Sequence, residues 1–156
     1  MNKKQKSLTN KGFSLVELII VIAIMTVLVG VLAPQFLKYV ERSRKSTDVQ
    51  NVQAIVTAVQ TYAADPMATS KIATGTITLN NTSTAVATAC SDAATATALT
   101  DAGINNVVLK SSEWYASGKT AVILNVTKDT TNGNVTVTED TTTIKADHSI
   151  INGTYK

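Results

Sequence analysis

Residues 13–33, FSLVELIIVIAIMTVLVGVLA, form an apolar run of 21 residues whose one charge is Glu17. As an α-helix the run is about 31 Å long, enough to cross the ~30 Å hydrocarbon core of a bilayer. No other feature limits the chain so strongly, because so many aliphatic side chains must leave water for lipid or for other helices. Lys3, Lys4, Lys6 and Lys11 precede the run, while Lys38, Arg42, Arg44 and Lys45 follow it mixed with Glu41 and Asp48. The positive-inside bias therefore predicts a cytoplasmic N-terminus and an external C-terminus.

An ordinary secretory signal would use Val31 and Ala33 as the small residues before a cut. Against that reading, Pro34 would follow the cut, the apolar run is longer than a usual signal, and Glu17 sits near its start. A carboxylate inside a membrane helix costs about 2.5–3.5 kcal/mol on insertion scales, so Glu17 needs a partner that a plain anchor would not require. A cut after Gly12 supplies one: Phe13 then carries an α-ammonium group four residues from Glu17, and the two charges can neutralise each other within a helix or between neighbouring helices.

The string GFSLVELIIVIAIM, preceded by a short basic leader ending in Gly12, resembles the type IV prepilins. The close match covers roughly residues 11–40, and the absence of a second cysteine resembles the Gram-positive type of major pilin. The resemblance implies that a membrane-embedded prepilin peptidase cuts between Gly12 and Phe13 and methylates the Phe13 amine. It implies further that Glu17 pairs with the Phe13 amine of an adjacent subunit, and that a cytoplasmic assembly ATPase and an inner-membrane platform protein drive extraction from the membrane. It also implies that the helix softens on assembly. Here Pro34 has no N–H to give and crowds the carbonyl of Gly30, itself a poor helix former, while the hydroxyl of Thr26 can bond a preceding carbonyl.

Beyond the membrane run, Val49, Val52, Val56, Val59 and Ala63 recur at three and four residues with Ile55 and Tyr62 flanking, which predicts an amphipathic continuation of the helix. Residues 38–48 read as a solvated neck, with Glu41 and Lys45 an i,i+4 pair, and Asp65-Pro66 ends the helix. A short helix is expected over residues 85–102, stopped by Gly103. Strands are expected over 107–110, 121–128 and 134–139, with weaker ones over 142–145 and 148–151. The fold expected is α+β, the type IV pilin arrangement of a long N-terminal helix, apolar then amphipathic, packed on a small antiparallel sheet. Its segments are a basic leader (1–12, removed), a transmembrane or filament-core helix (13–34), the amphipathic half (35–65), a Thr/Ala-rich αβ-loop (66–106) and the sheet with the C-terminal region (107–156).

Composition narrows the function. The net charge of +3 belongs to the leader, since residues 13–156 carry ten basic and eleven acidic groups, so no nucleic-acid partner is predicted. One cysteine and one histidine allow neither an intrachain disulfide nor a zinc site; no enzyme activity, cofactor or metal is expected. Cys90 reads as a small buried hydrophobe, and Asp129, Glu139, Asp140 and Asp147 as an acidic rim without EF-hand spacing. Asn80, Asn81, Asn125, Asn134 and Asn152 head Asn-x-Ser/Thr triplets expected by chance in so threonine-rich a chain. The function expected is a pilin that polymerises with copies of itself into an extracellular pilus or fimbrium, serving adhesion, aggregation or twitching motility. Two alternatives stay open: a type II secretion or competence pseudopilin, and a monomeric membrane-anchored or secreted binding domain.

Overall fold

The computed structural model describes residues 12–68 and 70–154; the leader lysines lie outside them. The chain divides into two compact units, one ending at Val40 and one beginning at Glu41. Helix α1, Leu15–Ala64, runs unbroken for 50 residues. It starts at a half capping box, the Ser14 backbone N–H donating to Glu17 Oε2 at 3.0 Å, which satisfies one of the orphan donors of the first turn. It ends where expected: Asp65 N–H bonds back to the Tyr62 carbonyl at 3.2 Å, and Asp65 Oδ1 accepts from Met67 N–H at 2.8 Å.

In the second unit one stripe of α1 is buried: Lys45, Asp48, Val52, Ile55 and Val59. The stripe is turned slightly from the expected one. Ile55 faces the core, whereas Val49, Val56, Tyr62 and Ala63 are half-buried at its margins.

Opposite the stripe lies an antiparallel sheet of order β1-β4-β5, made of β1 (Gly75–Asn80), β4 (Ala121–Lys128) and β5 (Val135–Glu139). Its inner face carries Ile77, Leu79, Val122, Leu124, Val126 and Val137, all buried, because alternate residues of a strand share one face. Leu124 stands opposite Ile77 on one side, and Val126 opposite Val137 on the other. Strand β1 falls inside the segment expected to be a loop: its Thr76-Ile77-Thr78-Leu79 alternation is short and surrounded by small polar residues, so composition hid the period.

The helix expected over 85–102 is two pieces, α2 (Val86–Ala89) and α3 (Ala93–Asp101). Cys90 between them is extended and bridges Ile77, and Ser91 and Thr76 exchange hydrogen bonds of 2.9 and 2.7 Å. This covers the outer edge of β1, which would otherwise be an open template for strand pairing. The approach requires a glycine: a Cβ on Gly75 would lie 2.8 Å from Ser91 Oγ. Asp92 then caps α3 by accepting from Thr95 N–H at 2.9 Å, and Gly103, at φ +81°, closes it as expected.

The expected strand at 107–110 shrinks to β3 (Asn106–Val107), paired with β2 (Thr84–Ala85). Beyond it, Leu109 N–H donates to the Asn80 carbonyl at 2.7 Å, and the next two residues give their N–H groups to the Asp48 carboxylate, Lys110 at 2.6 Å and Ser111 at 2.8 Å, while Trp114 Nε1 donates to it at 3.0 Å. The solvated neck is therefore corrected at its distal end, since Asp48 is 0% and Lys45 6% exposed. Lys45 Nζ lies 2.5 Å from Glu113 Oε2 and Arg44 pairs with Glu41 at 3.5 Å, while Glu41 also accepts from the Ser111 hydroxyl. Burial pushes the Asp48 carboxyl above its ordinary range, against the three hydrogen bonds that oppose the shift.

The expected strands at 142–145 and 148–151 appear only as single bridges, Tyr115 with Ile144 and Ser149 with Thr154. The end of the chain is held mainly by Glu139, whose Oε2 accepts from Ile150 N–H at 3.0 Å and Ile151 N–H at 3.4 Å, and by the burial of Ile144 and Ile150.

Asp48→Ala withdraws the acceptor from three donors, two of them buried, and is expected to lower stability by about 3–5 kcal/mol, read from urea unfolding of the full chain in micelles by tryptophan emission; Asp48→Asn, which keeps an oxygen, should lose less. Lys45 holds the Glu113 carboxyl below its ordinary value of 4.5. The stability this pair contributes is thus present above pH 4.5 and lost as pH falls through the depressed folded value. For a half-exposed carboxylate it is ~0.5 kcal/mol, and Glu113→Gln should make acid unfolding correspondingly shallower.

Candidate functional site

The first unit consists of the segment the sequence singles out. Fourteen large apolar side chains from Leu15 to Leu32 stand 45% or more exposed, and Phe13 before them is 93% exposed. They surround the helix instead of forming a stripe, the pattern of a helix meant for lipid or for a bundle. Among the described residues α1 is the one helix long and apolar enough to cross a membrane.

At its start, Gly12 and Phe13 precede the first helical turn. A side chain on Gly12 would meet nothing within 4 Å, so the glycine answers no packing need in the single chain. Glu17 Oε2 is held by the Ser14 N–H, one residue after Phe13. The geometry therefore places the carboxylate at the N-terminal end of α1, where the helix dipole favours an anion. The Ser14-x-x-Glu17 spacing was legible as a capping signature, and only the membrane argument drew attention to Glu17.

Further along, Thr26 Oγ1 donates to the Ile22 carbonyl at 2.7 Å. Pro34 lies inside the helix and has no N–H for the Gly30 carbonyl. A Cβ on Gly30 would also meet nothing within 4 Å. All three residues thus occupy a helix that is continuous in the single chain.

The remaining reactive side chains have structural positions. Cys90 is buried and its thiol is pushed up to about 11 by burial and by Asp92, far from a reactive thiolate. Asp129 and Asp140 accept from Thr131 and Thr142 N–H groups in their own turns, and Glu139 holds the chain end. His148 packs edge-on against Trp114 with ring centroids 5.8 Å apart. No group of three metal-ligating side chains occurs among the described residues. Asp48 and Glu139 are the residues whose importance sequence reasoning missed, because each acts on backbone donors distant in the chain.

Residues 8–33 match the family described as the prokaryotic N-terminal methylation motif. The chain is 40% identical over 53 residues to the type IV major pilin protein PilA of Myxococcus xanthus, covering 34% of this chain and 24% of that protein. It is 38% identical over 55 residues to type IV major fimbrial proteins FimA of Dichelobacter nodosus, covering 35% of this chain and 35% of each of two such proteins. The chain thus spans well under half the length of these relatives. No solved structure matches it. The chain thus carries the prokaryotic N-terminal methylation motif at the head of a long helix, and in its N-terminal third it is similar to type IV major pilin and fimbrial proteins.

Proposed function

We propose that the protein is a structural subunit that polymerises through its N-terminal helix into an extracellular type IV pilus. The observation that carries this reading is the apolar helix, exposed on every side, with a lone carboxylate at its start. Exposure of that run to water would cost tens of kcal/mol, at about 1.5–3 kcal/mol for each large side chain. The helix must therefore pass from lipid directly into contact with its own kind, which exchanges hydrocarbon for packed Leu, Ile and Val.

In this reading the prepilin peptidase cuts between Gly12 and Phe13 and methylates Phe13. The precursor lies in the membrane with its N-terminus cytoplasmic, and an assembly ATPase and a platform protein extract it. Glu17 gives up the local N–H of Ser14 for the Phe13 ammonium of a neighbouring subunit, which fixes the stagger of the growing fibre. Thr26, Gly30 and Pro34 let the helix loosen between them as it packs. The role is structural, not catalytic. The names of the relatives support a major pilin over a short pseudopilin fibre, and the absence of a second cysteine supports the Gram-positive type.

Mass spectrometry of the mature protein is expected to show a chain beginning at Phe13 with one added methyl; a start at Pro34 would establish the secreted-domain reading instead. Glu17→Ala leaves the ammonium of Phe13 alone in an apolar core. That costs about 3–5 kcal/mol and weakens subunit addition by roughly two to four orders of magnitude. Sheared surface material should then lack fibres while processed chain accumulates in the membrane, and fibres of normal abundance contradict the pairing. Pro34→Ala removes a helix breaker worth about 3 kcal/mol and is expected to slow amide exchange over residues 30–38 in micelles; unchanged exchange argues against a softened turn.

A further inference from the structure

Residues 145–154 lie as a strap across the part of the second unit nearest Asp48. Lys145 N–H donates to the Trp114 carbonyl at 3.0 Å, and Ser149 and Thr154 exchange two bonds of 2.8 Å. Ile150 is fully buried. A Cβ on Gly153 would lie 3.3 Å from Val49 Cγ1, so the strap rests directly on α1. Beneath it sits Trp114, itself fully buried and bonded to Asp48.

One group in this closed arrangement is out of keeping with it. His148 packs edge-on against Trp114, and its Nδ1 is buried without a hydrogen-bond partner. A neutral imidazole tolerates this, because a lone pair can be left unused at modest cost. An imidazolium carries an N–H on both nitrogens, and a buried donor without an acceptor is expensive. The charged groups around it give mixed help. Lys45 from α1 and Lys145 from the strap disfavour a positive ring, while Glu113 from the 3-10 turn and Asp147 from the strap favour it. Glu113 is already held by Lys45. Glu41 and Asp48 on α1 are engaged with Ser111 and with Lys110, Ser111 and Trp114.

We propose that residues 145–154 are a strap that opens on acidification, with His148 as the catch that protonation releases and Trp114 as the residue it uncovers. The fit of a neutral ring is consistent with burial holding His148 below the ordinary imidazole value of 6.5. Since the closed form binds fewer protons than the open one, closure is fully stable above that value and weakens as pH falls through it. All the residues concerned belong to the unit that begins at Glu41.

The chain holds one tryptophan, which makes its emission a direct readout. The full chain in detergent micelles is titrated from roughly pH 8 to pH 5, the range in which histidine changes charge. A reversible red shift with a midpoint below 6.5 is expected, absent from His148→Phe and from His148→Gln, the second serving if the first does not give native emission at neutral pH. Lys145→Gln, by removing a repelling charge, should move the step to lower pH. Constant emission in the parent chain, quenching without a red shift, or the same step in both His148 variants would overturn the proposal.

Discussion

Water would penalise the exposed side chains from Leu15 to Leu32 by tens of kcal/mol, yet the residues beyond Glu41 on the same helix are built for an aqueous head with one buried stripe. α1 thus has two surroundings along its length, and each half is fitted to one of them. The first half is apolar all round and capped by a carboxylate that the local backbone can satisfy. The second half is a spine for the sheet, with small and β-branched residues facing Ile77, Leu79, Val122 and Leu124.

The attachment is polar as well as apolar. Asp48 lies on the same stripe as Val52, Ile55 and Val59, and its carboxylate gathers the N–H groups of Lys110, Ser111 and Trp114. A buried carboxylate of this kind fixes geometry more than it adds stability, since its desolvation offsets much of what the bonds return. Here it specifies where Lys110, Ser111 and Trp114 meet α1.

Local patterns in the sequence were enough to find α1, its end at Asp65, the alternation of β4 and the glycine stop at Gly103. Each depends on period, capping or proline chemistry among near neighbours. Strand β1 was hidden by its threonines and by a residue composition that reads as loop. The break at Cys90 was hidden by alanines that favour helix, and is imposed by pairing with Ile77. The roles of Lys45, Asp48 and Glu139 rest on partners that the chain brings together only after folding, so charge alone suggested a solvated surface. At the candidate site the reverse holds: Gly12, Phe13 and Glu17 stood out by their spacing in the sequence, and the single chain adds the Ser14 contact to Glu17.

Glu139 holds Ile150 and Ile151 by accepting their backbone N–H groups, a clamp made without a disulfide. A carboxylate needs no oxidant to engage and no isomerase to find its match. The chain end can therefore settle as soon as β5 is in place, in reducing and oxidising surroundings alike, and folding of this head is uncoupled from the thiol chemistry of the compartment in which it emerges.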